Sequence, residues 1–417
     1  MDPGFLDSSC KTPATGVEIP WDCHGSNMGA ALVGGAAAAA AAAAAYGVHH
    51  LTHGHHPHGH HLGHSGKFKH GKFGKVQAWK IWEAYWVWMK TWPSTVEASP
   101  SWVLWRKIQE VEVVKLQEYV LNARGINLFT CQWRPLNSEP KALIFLCHGY
   151  AMECSISMRG TGTRLAQAGF VVHGMDYEGH GKSSGLQGYI SSFDDIVVDC
   201  SKYFASVYEK EEYKKQKRFL LGESMGGAIV LMLHRKEPTF WDGAILVAPM
   251  CKIVEDMKPH PIVISVLSKL SNVIPTWRII PNEDIIDRAI KSEEWREEVR
   301  NNHYCYKGKP RLKTGYEIFM ASLDIESNLD KVTLPFIIVH GGDDAVTDPT
   351  VSEALYTLAE SKDKTLKLYP GMCHALTSGE PKENIDIVFA DIIKWLNERV
   401  PSVSQLGSNS GLQEQCC

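Results

Sequence analysis

From about Ile108 the chain alternates between two textures of apolar residues. Continuous apolar runs recur at Ala142–Cys147 (ALIFLC), Phe170–Asp176 (FVVHGMD), Arg218–Glu223 (RFLLGE), Ala244–Pro249 (AILVAP) and Pro335–Gly341 (PFIIVHG), with a more mixed run at Thr365–Pro370 (TLKLYP). Runs without polar alternation belong to strands buried on both faces. Between them, Met158–Ala168, Phe193–Glu209, Met225–Arg235, Thr350–Ala359 and Lys382–Val400 carry apolar residues at three- and four-residue steps. That spacing gathers apolar side chains on one side of a helix. Upstream, VEVVKLQEYVL and INLFTCQW flank a turn at Asn122–Gly125 and predict an opening hairpin. The alternation of strand and helix predicts an α/β fold, a mostly parallel sheet with helices on both faces. The rhythm lapses between Pro249 and Leu334, where helical stretches, prolines and charge replace any buried strand. Such an insert predicts a helical cap, at about 251–330, over the sheet edge where ligands bind in these folds.

The first quarter has a different character. Ten alanines run from Ala36 to Ala45, and ten of the 19 histidines fall between His49 and His70. Low-complexity sequence of this kind cannot build a packed core, so 1–75 is expected to be disordered. A His-rich tract can hold Zn or Ni, but without fixed geometry it is a loose chelator, and no metal site is assigned. Residues 76–107 form a Trp-rich amphipathic segment, with Trp79, Trp82, Trp86 and Met89 at helical steps. Lys80, Glu83 and Lys90 rule out an ordinary membrane span there. The segment suits either the headgroup region of a bilayer, which gives peripheral membrane association, or docking on the neighbouring domain.

A net charge of −4 argues against a nucleic-acid partner. The 11 cysteines form no C-x-x-C pair, and the start lacks the basic stretch of a secretory signal. Together these predict a reducing, cytoplasmic setting. A polar tail, 401–417, is expected to be disordered and ends in Cys416 and Cys417, a pair that can accept lipid. The main globular unit is thus expected over 108–400.

Gly222-Glu223-Ser224-Met225-Gly226 follows a strand run and opens a helical one. This is the G-x-S-x-G nucleophile elbow in its required strand-turn-helix setting. The serine must sit exposed on a tight turn, so its neighbours must be small. A serine nucleophile needs a base, and the base an orienting carboxylate, in the chain order Ser, acid, His. Asp343 and Asp344 follow the strand run PFIIVHG, and His374 follows TLKLYP. The spacing leaves the two aspartates in competition. His340, on the strand itself, reads as a packing or structural histidine. An oxyanion hole needs two backbone N–H groups. Met225, after the nucleophile, supplies one, and Tyr150, in the loop His148-Gly149-Tyr150-Ala151 after ALIFLC, is the choice for the other. Gly179-His180-Gly181-Lys182-Ser183 is not a phosphate-binding loop, which would need Gly where Asp176 stands. Asp194 and Asp195 read as first-turn helix charges, not a metal pair.

Five motifs occur in order: His148-Gly149-Tyr150, Asp176 to Ser183 (DYEGHGKS), Gly222 to Gly227 (GESMGG), His340 to Asp344 (HGGDD) and Pro370 to His374 (PGMCH). Over Glu110–Val400 the chain resembles the monoacylglycerol lipase family of α/β-hydrolases. Its plant branch, with caffeoylshikimate esterase and lysophospholipase-like members, is the most similar. In that family the catalytic acid occupies the D of H-G-x-x-D-x-V, which here is Asp344, ahead of Ala345 and Val346. The resemblance also implies a lipophilic cap over the site. The chain departs from the pattern in two places. An H-x-x-x-x-D stretch tied to acyl transfer is missing, since the fifth position from His180 is Gly185, and the N-terminal region has no counterpart.

The expectation is a serine esterase with Ser224, Asp344 and His374 as its triad and Tyr150 and Met225 as oxyanion donors. It needs no cofactor and acts on a lipophilic, monoacylglycerol-like ester. The same mechanism on a lysophospholipid or phenolic ester is the alternative substrate reading. A receptor on a hydrolase fold is the alternative of another class. PIVISVLSKLSNVIP, residues 261–275, is apolar enough for an acyl tunnel or a membrane-facing lid.

Overall fold

The computed structural model describes residues 112–136, 139–252, 260–279 and 285–400. The poly-Ala and His-rich region, the Trp-rich segment and the tail with Cys416 and Cys417 lie outside the described residues.

Eight strands form one sheet in the order β1-β2-β4-β3-β5-β6-β7-β8. They are β1 (Val113–Leu121), β2 (Asn127–Pro135), β3 (Leu143–Cys147), β4 (Val171–Met175), β5 (Arg218–Glu223), β6 (Gly243–Val247), β7 (Phe336–Gly341) and β8 (Lys364–Tyr369). β1 and β2 are the expected antiparallel hairpin, β2 also runs antiparallel to β4, and every later pairing is parallel. Every residue of β3, β4, β6 and β7 is buried, as their unbroken apolar runs require. β8, the mixed run, lies at one edge and is half exposed.

Alternate residues of the central strands feed two cores. Leu143, Phe145, Leu220, Leu246, Phe336 and Ile338 belong to one. It is closed by helices α2 (Phe193–Tyr208), α3 (Met225–Lys236), α7 (Leu312–Glu326) and α8 (Pro349–Leu358). Ile144, Leu146, Phe219, Leu221, Ile337 and Val339 belong to the other, under α1 (Arg159–Gln167) and α9 (Lys382–Asn397). Local signals fix several helix starts. The Ser192 side chain caps α2, with Asp194 and Asp195 in its first turn. Asp348 caps α8 and Pro349 opens it.

Between β6 and β7 lie α4 (Pro261–Val273), α5 (Ile286–Ala289), α6 (Glu293–Asn301) and α7. α7 packs on α3 and α4 and puts Ile318, Ala321 and Ile325 into the main core. The other three stand apart from that core. Ala289, Ile290 and Val299 make a small cluster with Val346, flanked by Met152 and Ala375. Ile262, Val266, Leu270 and Val273 of α4 and the following Trp277 are exposed. No described helix is long and apolar enough to cross a membrane.

One packing contact gives a direct test. A Cβ on Gly162 of α1 would lie 2.5 Å from the buried Trp133 ring, whereas one on Gly160 would meet nothing within 4 Å. Gly162→Ala is expected to cost about 1–3 kcal/mol through overpacking. Gly160→Ala is expected to be neutral or to add up to about 1 kcal/mol by restricting the unfolded chain. Urea unfolding midpoints of the two variants check both.

Candidate active site

The strand order reverses at β3, whose chain neighbour β4 lies on one side and β5 on the other. Loops leaving β3 and β5 therefore diverge from adjacent strand ends and frame a crevice. Ser224 occupies the turn after β5 with φ +54° and ψ −117°. A non-glycine residue there stores about 1–3 kcal/mol of strain. Surrounding bonds hold it: Ser224 N–H donates to Val247 O at 3.0 Å, and its own carbonyl accepts from Gly227 and Met250 N–H, both at 2.9 Å. The flanking glycines are spatial necessities. A Cβ on Gly222 would lie 2.4 Å from Gly226 O, and one on Gly226 would lie 1.9 Å from Cys147 O.

The loops after β7 and β8 meet beside this turn. Asp344 is buried, while Asp343 is exposed. His374 Nδ1 lies 2.7 Å from Asp344 Oδ2. The same carboxylate accepts from Thr347 Oγ1 at 2.9 Å, and its Oδ1 accepts from Val346 N–H at 2.7 Å and Thr347 N–H at 3.0 Å. Burial alone would push the Asp344 carboxyl up. The His374 charge and the hydrogen bonds from His340 and His374 outweigh it and hold the group far below the usual carboxylate range. For His374 burial pulls the imidazole down, but the Asp344 charge and hydrogen bond, with Glu223, reverse the sign and raise it.

Ser224 Oγ makes no hydrogen bond to the His374 ring among the described residues. The two loops are instead joined between the residue before Ser224 and the third residue after His374, where Thr377 Oγ1 donates to Glu223 Oε1 at 2.5 Å.

Tyr150 lies in the loop after β3, followed by Ala151 at φ +66°. A Cβ on Gly149 would sit 3.5 Å from Ser224 Cβ, so this loop runs against the elbow. The Tyr150 hydroxyl donates to Gly188 O at 3.0 Å, which ties its ring into the wall. Met225 is the first residue of α3, and helix geometry gives its N–H no intrahelical acceptor. His148, stacked on Tyr177 at 3.9 Å, is pushed down to about 3 by burial and so stays neutral. Cys147 and Cys373, which flank these loops, are free thiols.

Sequence reasoning missed three residues that the fold brings here. His340 does more than pack: its Nε2 lies 3.0 Å from Asp344 Oδ2. Glu223, an unconstrained position of the pentapeptide, is half-buried and braces the His374 loop through Thr377. Glu153 is buried beside the β3 loop and accepts from Ser155 and Ser157 and from Asn302 Nδ2 at 3.1 Å. That last bond pins the insert to the site. Tyr306 N–H to Ala151 O (2.9 Å) and Ala375 N–H to Ala289 O (3.0 Å) pin it twice more. Among the described residues no group of three or more His, Cys, Asp or Glu is placed to hold a metal ion.

The sheet order and the strained serine at its switch point define an α/β-hydrolase. The chain belongs to the serine aminopeptidase S33 family (Hydrolase_4), whose model matches residues 138–382, and it is an enzyme of the hydrolase class. It is 36% identical over 274 residues to caffeoylshikimate esterase of Arabidopsis thaliana, covering 66% of this chain and 82% of that protein. It is 31% identical over 284 residues to human monoglyceride lipase, covering 67% of this chain and 90% of that one. A soluble variant of monoglyceride lipase from Saccharomyces cerevisiae, solved with a substrate analogue, shares the fold. Its TM-score is 0.60 at 21% identity, over 68% of this chain and 96% of that one. The enzyme is thus an α/β-hydrolase of the monoglyceride lipase and esterase type.

Gly226→Ala tests the elbow geometry. The Cβ would meet backbone, which cannot swing aside, so the variant is expected to lose about 3 kcal/mol or more. Urea denaturation beside Gly160→Ala measures it.

Proposed function

We propose that the enzyme hydrolyses the carboxylic ester of a monoacylglycerol-like lipid, with Ser224, His374 and Asp344 as its triad. The observation that carries this reading is the 2.7 Å His374–Asp344 contact beside a serine held at positive φ. Ser224 Oγ attacks the ester carbonyl as His374 Nε2 takes its proton. Asp344 keeps the remaining ring proton on Nδ1 and stabilises the imidazolium that forms. The Met225 and Tyr150 N–H groups receive the oxyanion. His374 then returns its proton to the leaving alcohol oxygen. Water, deprotonated by the same ring, cleaves the acyl-enzyme, and no cofactor takes part. The catalytic unit in this reading is 108–400, with its cap inserted at about 251–330.

The exposed apolar face of α4 and Trp277 supports a lipophilic substrate and contact with a lipid surface. Free cysteines fit a reducing, cytoplasmic setting. The 36% identity to a caffeoylshikimate esterase favours a phenolic ester as the second reading. A panel of monoacylglycerols, lysophospholipids and caffeoyl esters separates them by kcat/KM. Monoacylglycerol is expected to rank first.

Ser224→Ala is expected to lower kcat by about 10⁴-fold or more and to abolish labelling by a fluorophosphonate probe. Normal turnover by that variant sinks the triad. The base must be neutral to act, and its imidazole is raised. Activity should therefore be lost as pH falls, with the acid limb of kcat/KM centred above the ordinary histidine value of about 6.5. A pH–rate profile on a non-ionising ester checks it.

A further inference from the structure

His340 sits in β7 with its side chain fully buried, and its ring nitrogens meet four polar partners, the most distant being Thr347 Oγ1 at 3.4 Å from Nε2. Nε2 lies 3.0 Å from Asp344 Oδ2 and 2.9 Å from Thr347 O, while Nδ1 lies 2.7 Å from Ser352 Oγ on α8. A carboxylate and a carbonyl oxygen can only accept, so Nε2 carries the proton. With the proton on Nε2, Nδ1 can accept from the Ser352 hydroxyl. The oxygen that His340 addresses is the one that receives His374. One carboxylate oxygen thus stands between two imidazoles, one facing the elbow and one locked in the sheet.

The geometry points to His340 as a positioning residue for the Asp344 carboxylate, with Ser352 fixing the tautomer that lets it donate. This inference rests on the triad reading above. Its physical content is twofold. First, the Nε2–H group holds Oδ2 in the orientation that His374 needs. Second, it draws off part of the carboxylate's charge and so limits how strongly Asp344 binds the His374 proton. The pull of Asp344 is one of the two that raise the His374 imidazole, the other being Glu223 at the end of β5. Asp343 and Cys373 on the site loops, Glu380 beyond them and Lys291 of the insert are further ionisable groups nearby. None of these is changed by the variants below.

His340→Leu fills the space and removes the donor. His340→Gln keeps an N–H donor at about the reach of Nε2. The Leu variant is expected to lose roughly ten-fold or more in kcat, the scale of one hydrogen bond to a charged group, with KM unchanged. Its acid limb should move to higher pH, because a less-neutralised carboxylate grips the imidazolium more tightly. The Gln variant should restore most of the rate and return the limb. A folded Leu variant with wild-type kcat and pH profile overturns the inference. So do Leu and Gln variants equally impaired with the limb unmoved, since that is merely structural damage. If Leu does not fold, Ser352→Ala carries the test, because losing its hydroxyl weakens the Nε2–H donor. A smaller shift of the limb in the same direction is expected, and no shift overturns the inference. Ser224→Ala runs alongside in the same assay. If it turns over normally, the triad reading has failed rather than the role of His340.

Discussion

The hydrogen bond between Asp344 and His374 is made by a charge held out of water at the end of a parallel strand. Burying an ionised carboxylate without partners costs more than a domain's whole net stability. The structure supplies five donors: His374 Nδ1, His340 Nε2, Thr347 Oγ1, and the Thr347 and Val346 N–H groups. They come from three places along the chain, so the loops after β7 and β8 must both be in position before the charge is tolerable. This constraint makes the site a product of the sheet. β7 and β8 are adjacent parallel strands, and their C-terminal ends deliver the acid and the imidazole to one edge.

The elbow is the second place where tertiary structure holds an unfavourable local state. Ser224 stays at positive φ because β6 takes its N–H and because Met250, just after β6, binds its carbonyl. The insert adds a third layer of control. It bonds to the loop after β3 through Asn302 and Tyr306 and to the His374 loop through Ala289. Its small apolar cluster takes in Val346, two residues past the acid. An insert joined this way to the three loops constrains their relative positions.

Much of this was legible in the sequence, and the reasons are physical. β3, β4, β6 and β7 announced themselves because strands buried on both faces leave no room for polar alternation. The elbow was legible because only glycine fits where backbone passes within a bond length or two of the missing Cβ. The choice between Asp343 and Asp344 was not legible from spacing. Adjacent residues in a loop differ in which one turns inward, and only the resemblance pointed to the second. His340 was read as a packing or structural histidine because it lies on the strand side. Its polar partners, Ser352 on α8 and the 344–347 turn, exist only once α8 folds back. Glu153 and Asn302 meet across 149 residues, and no local pattern encodes that. The placement of α7 in the main core was hidden for the same reason, since a helical period says that a face is buried and not against what.

The central claim is that Asp344, and not its neighbour, orients the catalytic imidazole. The most direct measurement is kcat/KM of Asp344→Asn against Asp343→Asn on the same ester, with both variants shown to be folded. An amide at 344 cannot hold the Nδ1–H tautomer by charge, so a fall of about 10³–10⁴-fold is expected. The exposed Asp343 should tolerate the change within a few-fold. Equal losses in the two variants, or an Asp344→Asn enzyme of near-normal rate, would contradict the account.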